Sequence, residues 1–159
     1  MEIEMSGQFG KLSDKGESNI MNTRKIYIAL LFMVSINPVF AETPASMVAG
    51  YATEAARAAP GFAPSAARGQ GFFAREWGVS RKMPNCTVCH GKDTKADGKH
   101  VITDKRIAPL SPAANPERFT SNAKVEKWFK RNCTEVVGRE CTAAEKADFI
   151  QFVTKGGQS

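Results

Sequence analysis

Histidine is almost absent from this 159-residue chain: His90 and His100 are the only two. Methionine is distributed just as unevenly, because all six (Met1, Met5, Met21, Met33, Met47 and Met83) come before His90 and none after it. Cysteine is limited to Cys86, Cys89, Cys133 and Cys141, which leaves no second close-spaced ligand pair to complete a structural zinc site. Long apolar runs are missing too. The one candidate, Ile26 to Ile36, is well short of the ~18 to 20 residues that a membrane-spanning helix needs, and Asn37-Pro38 closes it.

Against these absences stands Cys86-Thr87-Val88-Cys89-His90. Two thiols three positions apart, followed directly by an imidazole, have the spacing of a covalent c-type haem attachment site. Each cysteine can add to one vinyl group of the porphyrin as a thioether, which brings His90 to the iron as proximal ligand. A thioredoxin-like dithiol needs a strand before the pair, and the stretch from Gly78 to Pro84, with Arg81-Lys82 and a proline, is a poor buried strand. Zinc is disfavoured because adjacent Cys89 and His90 cannot easily take two corners of one tetrahedron. Haem therefore leads, and the open question is the sixth iron ligand. Electron-transfer cytochromes c place a downstream methionine there, and this chain has none. Bis-histidine ligation has only His100, ten positions on in an irregular segment, where an exposed loop histidine is the plainer reading.

The start of the chain reads as a targeting segment. Met21-Asn22-Thr23-Arg24-Lys25 is a short basic region, Ile26 to Ile36 an apolar core, and Val39-Phe40-Ala41 a small-x-small cleavage site. Residues 21–41 are thus expected to be a secretory signal peptide and residues 1–20 a non-native or over-called leader. Residues 42–159 remain as a single domain with no stable membrane anchor. Removing residues 1–41 takes away four basic and four acidic residues, so the formal charge stays at +6. Such a surface can steer acidic redox partners, and export to the periplasm points away from nucleic acid. Lys92, Lys95 and Lys99 could form a docking rim, although a solvated loop accounts for them as well. In an oxidising compartment Cys133 and Cys141 are expected to pair with each other.

The patterning is that of an all-α domain of about four helices. Ser46 to Ala59 carries Met47, Val48 and Tyr51 at helical spacing before Pro60-Gly61. Ser65 caps a second helix through about Trp77, with Phe72, Phe73 and Trp77 on one face and Gly69 allowing close approach. Gly91 to Arg118 reads as an irregular loop. Val125, Trp128 and Phe129 mark a third helix from about Asn122 to Arg131, and Thr142-Ala143-Ala144-Glu145 is a capping box opening a last one.

Ile107-Ala108-Pro109-Leu110-Ser111-Pro112, Pro116-Glu117-Arg118-Phe119-Thr120, Val125 through Cys133, Val137-Gly138-Arg139-Glu140-Cys141-Thr142 and Glu145-Lys146-Ala147-Asp148 together resemble the sphaeroides haem protein family. With the haem motif and the first helix, the likeness spans most of residues 46–153. It implies an exported, high-spin class I cytochrome c fold holding one covalently attached haem c. It also implies Asn132 as distal iron ligand and a Cys133–Cys141 disulfide directly after it. An amide oxygen is neutral and hard, so it suits Fe(III) better than Fe(II). Reduction is then expected to release Asn132 and open a place for O2, NO or CO. The resemblance further implies a dihaem cytochrome c and a membrane cytochrome b as electron donors, and electron transfer with gas-ligand binding rather than turnover. A plain periplasmic electron carrier, or a component of a small haem reductase or oxidase, is the alternative. Pro109 is a candidate for orienting His90 through its carbonyl, and Trp128 for lying against the porphyrin.

Overall fold

The computed structural model describes residues 42–156; the leader and signal-peptide expectations for residues 1–41 lie outside them. Helix α1 spans Pro44–Ala58, opened by a capping box in which Thr43 and Ser46 each accept from the other's backbone N–H, with Pro44 in the first turn. Its buried side chains, Met47, Tyr51 and Ala55, recur every four residues and form a single stripe. Helix α2, Ala66–Ala74, is capped by Ser65 and buries Gly69 and Phe73.

Both helices pack on the last one, α5, Ala143–Thr154, which starts with the expected Thr142–Glu145 capping box. Phe73, Ile150 and Val153 are fully buried where these helices meet, within a core that also takes Met47, Tyr51, Phe119, Val125, Ala147 and Phe152. Gly69 is required at this crossing: a Cβ there would collide with the Asp148 carbonyl and stand 2.9 Å from the Phe152 Cβ. The buried Asp148 carboxylate fastens the same junction. It accepts from Ser65 N–H at 2.6 Å and from Arg68 Nε and Nη2 at 2.7 and 2.9 Å, so its charge is paired as burial demands.

Helix α2 stops before Trp77. Arg75 turns extended, and Trp77 N–H donates to the Pro84 carbonyl at 2.9 Å. Phe72 and Phe73 accordingly separate: Phe73 enters the main core, while Phe72 and Trp77 pack edge to face at 5.2 Å beside Cys133, Val137 and Cys141. Helix α3 is a single turn, Thr87–His90. The segment after it, expected to be irregular, contains a two-stranded antiparallel ribbon, β1 Gly98–Lys99 and β2 Arg106–Ile107, with Gly98 opposite Ile107 and Lys99 opposite Arg106.

Helix α4, Asn122–Asn132, is capped by Ser121, whose Oγ accepts from Lys124 N–H. Helical winding does not stop where α4 ends at Asn132. The chain continues into one π-helical turn, Cys133–Val137, closed by Gly138 N–H donating to the Cys133 carbonyl at 3.0 Å, with Gly138 in the left-handed region at φ 80°.

Candidate functional site

Cys86, Cys89 and His90 reach one site because they occupy a single tight turn. Asn85 Oδ1 accepts from Thr87 Oγ1 at 2.7 Å and from Val88 N–H at 3.2 Å, satisfying the start of α3. The bond from His90 N–H to the Cys86 carbonyl, 3.1 Å, completes the turn. Positions i, i+3 and i+4 of a helix share a face, so both thiols and the imidazole point the same way. Cys86 N–H also donates to the Phe73 carbonyl, tying the turn to α2.

All three residues line a cavity of about 710 Å³, along with Phe72, Phe73, Leu110, Phe119, Phe129 and Phe149. The same walls include Asn132, Trp128, His100 and Arg118. Of the site residues expected from the sequence, Cys86, Cys89, His90, Trp128, Asn132 and Cys133 line this cavity, whereas Pro109 and Cys141 do not. Neither Cys86 nor Cys89 takes part in a disulfide. Burial, with the neighbouring Cys89 adding to it, pushes the Cys86 thiol up to about 12. His90 moves the other way: burial first, then the charges of Arg118 and His100, lower it to about 4. The imidazole is thus neutral at physiological pH, the form in which it can donate a lone pair to a metal.

Asn132 is the last residue of α4, and its side chain makes no capping hydrogen bond to the π turn that follows. Asn132 is solvent-exposed and is one of the residues lining the cavity. The next residue, Cys133, is joined to Cys141 with 5.7 Å between Cα atoms, within the ordinary span of a disulfide. Trp128 is 47 % exposed, and Arg131 lies over its indole at 5.7 Å. His100 has its Nδ1 engaged, accepting from Ile102 and Thr103 N–H groups at 3.3 Å each, which fixes the ring within its own loop.

The Pro109 carbonyl accepts from Arg118 Nε at 2.7 Å and from Asn115 Nδ2 at 3.4 Å. Arg118 also donates from Nη2 to the Ala108 carbonyl at 2.6 Å. Sequence reasoning missed this half-buried arginine. The one signal for it was a lone cation directly before Phe119, an aromatic that belongs in the core. Burial lowers the Arg118 pKa from its ordinary value.

These residues fit a covalently held porphyrin. Two cysteines outside any disulfide, a neutral imidazole directly after the second, apolar walls and a half-buried cation suit a haem with two carboxylates. Among the described residues no helix is long and apolar enough to cross a membrane.

A family profile described as a domain of unknown function, DUF1924, matches residues 60–153. The cytochrome c-type protein SHP of Cereibacter sphaeroides is 46 % identical over 112 residues, covering 70 % of this chain and 82 % of that protein. Cytochrome c'' of Methylophilus methylotrophus is 39 % identical over 92 residues, 57 % of this chain and 64 % of its own length. Oxidised SHP, described as an oxygen-binding cytochrome c, superposes with a TM-score of 0.64 at 44 % identity, covering 73 % of this chain and 99 % of that structure. Oxidised cytochrome c'' superposes with a TM-score of 0.67 at 34 % identity, over 72 % of this chain and 95 % of that one. A solution structure of the same cytochrome c'' is described as bearing on haem-ligand detachment.

Proposed function

The chain belongs to the family of SHP and cytochrome c'', all-α c-type cytochromes with covalently attached haem c, and from that premise we propose that it is an exported, redox-gated binder of diatomic ligands. Haem c supplies an iron that cycles between Fe(III) and Fe(II) and accepts one ligand on each face. Cys86 and Cys89 hold the porphyrin as thioethers, and His90, neutral at physiological pH, is the proximal ligand. Asn132 is the distal ligand in the oxidised protein. Its amide oxygen is a hard donor that suits Fe(III), and it withdraws on reduction. The place it leaves would suit O2, NO or CO, to which the Asn132 amide N–H groups could donate a hydrogen bond. The neighbouring Cys133–Cys141 bridge anchors the turn, so the withdrawal is a local swing that leaves α4 and α5 intact. Trp128, in the cavity wall, would lie against the porphyrin, and Pro109 would steady the loop beside His90.

One observation carries this reading: Asn132 stands at the cavity wall with its side chain uncommitted, in a chain with no methionine after His90. Gas binding is further supported by the relatives, one described as oxygen-binding and another in connection with haem-ligand detachment. Residues 21–41 act as the signal peptide that delivers residues 42–159 to the periplasm. There a dihaem cytochrome c or a membrane cytochrome b supplies the electron.

The test is CO binding by the reduced, haem-loaded protein, followed by absorption spectroscopy. A marked spectral change on adding CO to the reduced but not the oxidised form is expected. A plain electron carrier keeps both iron positions filled in both oxidation states, so an unchanged reduced spectrum would favour that alternative. A turnover enzyme would instead show O2- or nitrogen oxide-dependent reoxidation over many cycles with reductant present.

A further inference from the structure

Tyr51 is the only tyrosine in residues 42–159, since the chain's other one, Tyr27, falls in the expected signal segment. It is buried in the core, and its hydroxyl donates to Glu126 Oε1 at 2.5 Å, the short length of a charge-assisted bond. Rings connect it to the haem site without a break. Tyr51 meets Phe129 edge to face at 6.1 Å, Phe129 meets Phe149 at 5.7 Å, Phe149 meets Phe73 at 6.1 Å, and Phe73 lies 6.3 Å from the His90 imidazole. Phe129 also lines the haem cavity, so one ring separates that cavity from Tyr51. Tyr51 and Glu126 themselves line a second, smaller cavity of about 250 Å³, which shares no residue with the first.

We infer that Tyr51 is a proton-coupled electron donor to the haem, with Glu126 as the base for its proton, and that the pair drains the oxidising equivalents a hydroperoxide leaves at the iron. Hydrogen peroxide is reduced to water by two electrons, H2O2 + 2 H+ + 2 e− → 2 H2O, and an electron not supplied from outside is drawn from the protein. Tyr51 supplies one. The electron passes by way of Phe129, the phenolic O–H bond breaks, and the proton moves along the existing hydrogen bond to Glu126, leaving a neutral tyrosyl radical and a protonated carboxyl. An external one-electron reductant supplies the second electron, and a further one restores Tyr51 as Glu126 returns the proton. The surroundings suit this step. Burial, with the Glu126 bond adding to it, raises the Tyr51 pKa, so the phenol holds its proton at neutral pH until an electron leaves. Lys146 stands 5.2 Å from the centre of the Tyr51 ring and 5.7 Å from that of Phe129. A fixed ammonium there disfavours a phenol radical cation, so the proton must leave with the electron. The same Lys146 donates to both Glu126 oxygens at 3.1 and 2.8 Å, which keeps the accepting carboxylate ionised.

This rests on a haem in the cavity and not on the release of Asn132, which CO binding tests separately. Oxidised, haem-loaded protein is mixed with hydrogen peroxide, frozen within milliseconds and read by electron paramagnetic resonance, in the wild type and in Asn132→Ala, where the iron is open to peroxide from the start. A tyrosyl signal is expected, and it should narrow when the protein is grown on ring-deuterated tyrosine. Tyr51→Phe keeps the ring packing and removes only the hydroxyl, so it should lose that signal and its haem absorption should bleach faster under peroxide. Glu126→Gln should form the radical several-fold more slowly; an unchanged rate would overturn the proton route. Trp128 is the rival donor because it also lines the haem cavity. A signal that survives Tyr51→Phe and disappears in Trp128→Phe would overturn the proposal, as would a haem spectrum altered by peroxide with no tyrosyl signal. If Tyr51→Phe does not accumulate as holoprotein, deuteration of the unsubstituted protein decides alone: a signal that narrows supports Tyr51, and one that does not refutes it.

Discussion

Removing the Cys133–Cys141 bridge offers a quantitative check on the turn that carries Asn132. The cysteines are 8 positions apart, and closing a loop of about nine residues removes denatured-state entropy worth roughly 2.6 kcal/mol in the chain-entropy model. The haem thioethers proposed at Cys86 and Cys89 would lie outside this loop, so they would not duplicate its constraint. Both bridge cysteines are buried against Val137, Phe72, Trp77 and Phe129. Replacing the pair with alanine therefore also opens a small apolar void, which adds on the order of 1 kcal/mol. Cys133→Ala/Cys141→Ala should lose about 3 to 4 kcal/mol in all. Over roughly 115 described residues, the typical unfolding entropy converts this into a Tm about 12 to 16 °C lower. Urea unfolding of the holoprotein, followed by far-ultraviolet circular dichroism, should show the lower midpoint with little change in slope. The oxidised absorption spectrum should also broaden, as Asn132 loses its fixed neighbour. A loss below about 1 kcal/mol with an unaltered spectrum would refute the idea that the bridge anchors the distal turn, since the loop would then be ordered without it.

Gly69→Ala should destabilise the domain by about 1 to 3 kcal/mol or more, because the added methyl meets the Asp148 backbone rather than a side chain that can yield. A thermal melt within a degree or two of wild type would contradict the tight α2–α5 crossing. Burial pushes the Glu126 carboxyl up, but hydrogen bonds from Lys146 and Tyr51 more than offset it and leave its pKa below the ordinary value. Its contribution is therefore present above the ordinary carboxylate range and is lost as pH falls through the lowered folded value. With the side chain 51 % exposed, the effect is worth under about 1 kcal/mol. Glu126→Gln should thus unfold at lower urea than wild type at pH 7, and the gap should close in acid; a gap that stays constant with pH would count against the pairing.

The elements whose side chains repeat with a helical period were legible in the sequence. Thr142 and Glu145 announced α5, Val125 and Phe129 the buried side of α4, and Gly69 the close crossing. The haem turn was legible because its chemistry demands one spacing. Four features were not. The β1–β2 ribbon has only two residues in each strand, too few for an alternating pattern to emerge. Helix α2 was expected to run through Trp77, but the hydrogen bond from Trp77 to Pro84 draws that residue away toward the disulfide. Asn132, read by position alone, resembles a helix cap; the π turn beyond it, closed by Gly138, depends on contacts with Cys141 and Val79 that lie elsewhere in the sequence. Arg118 escaped notice for a related reason, since its partners are backbone carbonyls, which carry no side-chain signature.

The most direct measurement is the absorption spectrum of oxidised and reduced holoprotein, with and without CO, for wild type, Asn132→Ala and His100→Ala. The account predicts that Asn132→Ala changes the oxidised spectrum while the reduced protein still binds CO, and that His100→Ala resembles wild type throughout. An oxidised spectrum untouched by Asn132→Ala but altered by His100→Ala would show that the distal ligand is the histidine and that the asparagine gate does not exist.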